Sequence, residues 1–86
     1  MTISLHGKAL ELAAADGPIR TEGHETLLDL IRWLGETRGE ALSDHLLGED
    51  TCFFLVNGRG VMATGGLSTP LTGDDVVDAI PLVGGG

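Results

Sequence analysis

Val76-Val77-Asp78-Ala79-Ile80-Pro81-Leu82-Val83-Gly84-Gly85-Gly86 closes the chain and decides how the rest is read. Val76 to Ile80 is rich in β-branched residues and reads as a last strand. Pro81 interrupts the run, and three glycines follow. Glycine has no Cβ, so such a tail costs entropy to order but passes through a channel too narrow for other residues. At its tip is a carboxylate with nothing bulky beside it. That combination suits a protein whose own C-terminus reacts inside another protein's active site. The bland alternative is a frayed tail or a cloning remnant.

Upstream, Cys52-Phe53-Phe54-Leu55-Val56 is a second β-rich run, closed by the turn signal Asn57-Gly58. Val61-Met62 is expected as a short return strand. Leu27, Leu30, Ile31 and Leu34 recur at helical spacing and form one apolar stripe. Thr26 with Asp29 three residues later resembles a capping box, and Gly39 is the expected stop. Ala41-Leu42 and Leu46-Leu47 fit a short helical turn or ordered loop. Trp33 lies off the stripe and is expected at its edge. At the start, Thr2-Ile3-Ser4-Leu5-His6 alternates as a strand does. Ala9-Leu10-Glu11-Leu12-Ala13 alternates too, which favours a hairpin around His6-Gly7-Lys8. A competing reading puts the second strand at Ile19-Arg20-Thr21, after the Asp16-Gly17-Pro18 turn. Strand, strand, helix, strand, short strand, strand is the order of an α+β roll. It has a mixed sheet of four to five strands with one main helix across one face.

Eighty-six residues make one small domain. A chain this short buries only about 60–65% of the surface its unfolded form exposes. The net charge of −8 comes from thirteen acids against five scattered bases. Phosphate binding needs a basic stripe, so a nucleic-acid partner is not expected, and no apolar run reaches membrane-spanning length. An acidic surface favours a basic protein partner. The single cysteine, Cys52, excludes an internal disulfide and a four-cysteine cluster, and the reducing cytoplasm is the simplest compartment. Cys52 itself reads as a buried structural thiol.

Asn57-Gly58, Gly66-Leu67-Ser68-Thr69-Pro70-Leu71, Asp75, Val77 and Pro81-Leu82-Val83-Gly84-Gly85-Gly86 resemble the C-terminal half of the ubiquitin-like (MoaD/ThiS-like) sulfur carriers. These include the molybdopterin synthase small subunit and the thiamin- and cysteine-pathway carriers. The match runs without a gap from Val56 to Gly86, a little over a third of the chain. It departs at Gly73-Asp74-Asp75, where the family often has Asp-Gly-Asp, at Gly84, where Ala is commoner, and at Ala79 and Leu82.

The resemblance implies a β-grasp domain over residues 1–83 and a flexible glycine tail over 84–86. It implies that Gly86 ends the functional chain. Its carboxylate would be adenylated with ATP by a ubiquitin-activating-type adenylyltransferase. A persulfide protein would then convert it to a thiocarboxylate. The sulfur would go to a biosynthetic pathway, with a molybdopterin- or tungstopterin-type cofactor foremost, and a larger synthase subunit is a possible further partner. The chain would be a carrier, not an enzyme, with no bound cofactor and no metal. Pro81, Leu82, Val83, Gly84 and Gly85 would thread into the partner.

The residues are consistent with this. There is no Gly-x-x-x-x-Gly-Lys-Ser/Thr loop for ATP. His6, His24 and His45 have no ligand spacing, and Ser43-Asp44-His45, being adjacent, is no triad. Period two sends Phe53 and Leu55 to the sheet face away from the helix, with Val76 beside them if Val77 is inward. That outer strip is the expected docking face. The alternatives are a modifier conjugated through Gly86 and a plain β-grasp interaction module with an inert tail.

Overall fold

The computed structural model describes residues 1–48 and 51–82. Five strands form one mixed sheet: β1 (Thr2–Leu5), β2 (Ile19–Arg20), β3 (Cys52–Val56), β4 (Arg59–Gly60) and β5 (Val76–Pro81). Their spatial order is β2-β1-β5-β3-β4. β1 and β5 are parallel, with Ile3 opposite Val77 and Leu5 opposite Ala79. β3 and β5 are antiparallel, with Phe54 opposite Ala79 and Val56 opposite Val77. The last strand among the described residues is therefore the middle strand of the sheet.

Alternation decides which face is buried. Ile3, Leu5, Phe54, Val77 and Ala79 all lie on one side and are buried. Helix α2 (Leu27–Arg38) covers that side with Leu27, Leu30, Ile31 and Leu34, none of which retains accessible surface. Each such side chain contributes about 1.5–3 kcal/mol relative to an exposed one. The Thr26 hydroxyl accepts from the Asp29 N–H at 3.3 Å and starts the helix. Gly39, at φ 109°, both ends α2 and begins α3 (Glu40–Leu47). The expected short turn at 41–47 is thus a two-turn helix, because Leu42 and Leu46 recur at i, i+4 and both reach the core. Trp33 is half-buried at the edge of the stripe, its ring 5.2 Å from that of His24.

The expected hairpin at the start is corrected. Lys8–Ala13 is a helix, α1, and the second strand is Ile19–Arg20, antiparallel to β1. Lys, Ala, Leu and Glu are strong helix formers, and Ala9 and Ala13 are the buried pair at i, i+4. Leu10 and Leu12 pack only partly against the core, one on each side of that stripe. The Arg38 guanidinium donates to the Ala13 carbonyl at 3.1 Å and ties the ends of α1 and α2 together.

The return strand is corrected as well. It is Arg59–Gly60, and Val61–Ala63 is a 3-10 turn that tucks Val61 into the core. Asn57 and Gly58 both have positive φ (53° and 81°), as a two-residue hairpin turn of right-handed twist requires.

Helices α2 and α3 meet at Gly35. A Cβ added there would stand 2.6 Å from the Ser43 Cβ, so the close crossing depends on glycine. Gly35→Ala is expected to destabilise by about 1–3 kcal/mol through overpacking, despite the gain in helix propensity. In a Ser43→Gly background the same change becomes neutral or stabilising. Urea unfolding midpoints of the four proteins check this reversal of sign.

Candidate functional site

The expected reactive segment begins where β5 ends, so the geometry of β5 sets the site. Its entry is held by two side chains. The Thr72 N–H donates to Asp75 Oδ2 at 2.7 Å, and the Asn57 amide donates to Asp75 Oδ1 at 2.8 Å. The Asn57 side-chain oxygen accepts from the Val76 N–H at 2.9 Å, and the Asn57 N–H donates to the Val76 carbonyl at 2.7 Å. The β3–β4 turn is thereby stitched to the first residue of β5. The Thr72 N–H, and then the Asn57 amide, hold the Asp75 carboxyl below its ordinary value.

The exit is held by the backbone. Pro81 stands opposite Cys52 in the β3–β5 ladder. Proline donates nothing, and the next N–H, of Leu82, donates to the Thr51 carbonyl at 3.1 Å. Gly7, at φ +60°, lies against the Pro81 ring. A Cβ there would sit 3.5 Å from Pro81 Cγ, in ordinary contact, so the positive φ is what favours glycine. The Leu82 side chain is exposed. Val83, Gly84, Gly85 and Gly86, named from the sequence as tail residues, lie outside the described residues.

The outer face of the sheet gathers the three residues expected there. Phe53 and Val76 are 41% and 45% exposed, and Leu55 is half-buried. Two more residues belong with them. Ile80 is directly opposite Phe53, and Asp78 is directly opposite Leu55. Strand alternation after Val77 foretells Asp78 and Ile80, but only the register shows which partners they face. Val76, Asp78 and Ile80 occupy alternate positions along β5, and Leu82 follows just past its end. An apolar strip thus runs along β5 to Leu82, with one carboxylate in it.

Other candidate groups stay apart. Among the described residues no cluster of three His, Cys, Asp or Glu side chains is placed to hold a metal ion. No helix there is long and apolar enough to cross a membrane. Cys52 is half-buried, not fully buried as expected. Burial pushes its thiol up, and the Thr51 hydroxyl beside it only partly offsets that. A thiol so placed is a poor nucleophile at neutral pH.

A sheet of this order with its main helix across one face is the ubiquitin-like β-grasp fold. Chains of known structure share it. SAMP1, the small archaeal modifier protein 1 of Methanosarcina acetivorans, is 23% identical with a TM-score of 0.80, over 99% of this chain and 94% of that one. A chain of the Amycolatopsis orientalis BexX/CysO complex is 24% identical with a TM-score of 0.80, over 99% and 98%. The putative molybdopterin converting factor subunit 1 of Pyrococcus furiosus is 25% identical with a TM-score of 0.71, over 95% of each. No curated protein sequence matches the chain. The ThiS family profile matches residues 3–86, and the chain belongs to that family, a group of ubiquitin-like, MoaD/ThiS-like sulfur carriers.

The Asp75 clasp makes a prediction about acid. A carboxyl held below its ordinary 3.8 in the folded state stabilises the fold above that value. The contribution is lost as pH falls through the lowered folded value. Asp75→Asn is therefore expected to lower stability at neutral pH and to flatten the loss below about pH 4. Urea midpoints of both proteins between neutral pH and strong acid read the difference. Parallel curves would leave Asp75 without this role.

Proposed function

We propose that the chain is a sulfur carrier whose reactive group is the Gly86 carboxylate, with residues 1–83 as the presenting body and 84–86 as the tail. The observation that carries this reading is the ThiS-family match, which extends through Gly86. It is supported by a central strand that is hydrogen-bonded along both edges and, in sequence, ends three residues before the first of the three glycines.

A carboxylate is a poor acyl donor because its leaving group would be oxide. In the proposed cycle a carboxylate oxygen attacks the α-phosphorus of ATP and pyrophosphate leaves. The resulting acyl adenylate is attacked by the terminal sulfur of a protein persulfide, and AMP leaves. A thiol then cleaves the S–S bond, and the thiocarboxylate remains on Gly86. ATP is held by the activating adenylyltransferase, not by this chain. The tail must enter that enzyme's site, and residues without Cβ fit a narrow channel. Pro81, Leu82, Val83, Gly84 and Gly85 lead it in, and Phe53, Leu55 and Val76 form the docking strip.

For the acceptor, the likeness to the Pyrococcus furiosus protein favours a molybdopterin- or tungstopterin-type cofactor, with a larger synthase subunit receiving the loaded tail. The lone cysteine suits the cytoplasm.

Intact-mass measurement after incubation with ATP, an activating adenylyltransferase and a persulfide donor tests the reading. The expected product is heavier by the exchange of one oxygen for sulfur, and omission of ATP abolishes it. A ladder of target-linked products without that exchange would favour a protein modifier instead. An unchanged mass beside an adenylyltransferase active on another carrier would reject both.

A further inference from the structure

The apolar strip contains one charge. Asp78 lies between Val76 and Ile80 along β5, opposite Leu55 on β3 and opposite Ser4 on β1. Its side chain is only 30% exposed. The one ion pair it makes among the described residues is with His6, Nε2 to Oδ1 at 3.7 Å, beyond hydrogen-bond distance. An imidazole is a counter-ion only while protonated. No other charged residue adjoins Asp78 on the paired strands, since β1 presents Thr2 and Ser4 on that face. Arg20 shares the face but sits opposite Thr2, one strand further out.

Any protein surface that covers Phe53, Val76 and Leu82 also covers Asp78. Docking then strips water from a carboxylate whose one partner in the described residues, His6, stands 3.7 Å away and is a counter-ion only while protonated. A purely apolar partner would leave a buried, unpaired charge, which is strongly unfavourable. A partner with an acid there would be repelled, in a chain that already carries −8. We propose that Asp78 selects the partner: the surface that docks on this strip is apolar around one basic side chain, which replaces His6 as the counter-ion of Asp78. The inference rests on the carrier reading and adds to it which protein surfaces the carrier accepts.

The test is steady-state, ATP-dependent adenylation of the carrier by the activating adenylyltransferase of its own cell. Asp78→Asn and Asp78→Lys are expected to raise KM for the carrier by about 10- to 100-fold while kcat is kept. Their unfolding temperatures should match wild type, since the side chain carries no packing of the core. Asp78→Glu keeps most of the affinity, and His6→Gln leaves KM unchanged. Added salt should raise KM for wild type more than for Asp78→Asn. Wild-type KM for Asp78→Lys would overturn the proposal, and so would a loss in His6→Gln as large as in Asp78→Asn. If wild type itself is not adenylated, the carrier reading falls with it. If wild type reacts and Asp78→Lys reacts equally well, only the selection by Asp78 falls.

Discussion

Strand β5 pairs on both edges at once, parallel to β1 and antiparallel to β3, and the rest of the molecule is arranged by that constraint. A parallel neighbour cannot be joined by a tight turn, so a crossover must run between β1 and β5, and here it spans residues 6–75. That intervening length holds the helices covering the inner face. Val77 and Ala79, at the centre of β5, retain almost no accessible surface. Sliding β5 by one residue would send both to solvent and bring Asp78 into the core. The register is therefore fixed by burial as well as by backbone bonds.

The same constraint reaches the chain end. Asn57 and Asp75 fix where β5 begins, and the pairing of Leu82 with Thr51 carries the ladder past Pro81. A strand whose entry, centre and exit are all tied has little freedom to tilt or slip. The described part of the chain is thus tied as far as Leu82. Val76 and Ile80 of the apolar strip lie on that same strand, and Leu82 follows it directly.

Much of this was legible in the sequence because the signals were local and strong. The Leu27–Leu34 stripe, the Asn57-Gly58 turn and the alternation in β3 and β5 each had a period long enough to read. The N-terminal segment was not. Five residues of Ala-Leu-Glu-Leu-Ala alternate as a strand would, yet the residues they bury are two alanines at helical spacing. Small side chains carry little hydrophobic signal, so the helix hid behind its flanking leucines. The weaker reading, a strand at Ile19 after Asp16-Gly17-Pro18, was the one that β1 pairs with. In the candidate site, Phe53, Leu55 and Val76 followed from parity alone. The Ile80–Phe53 and Asp78–Leu55 pairings did not, since they depend on register between distant segments. Nor did the Asn57–Asp75 clasp, which joins residues eighteen apart.

If the body serves to present the chain end, the last residues matter for chemistry and not for folding. Removing Gly85 and Gly86 and measuring both the unfolding midpoint and sulfur loading in the reconstituted pathway tests that division directly. The account predicts an unchanged midpoint and no loading. Full loading by the shortened chain would contradict it.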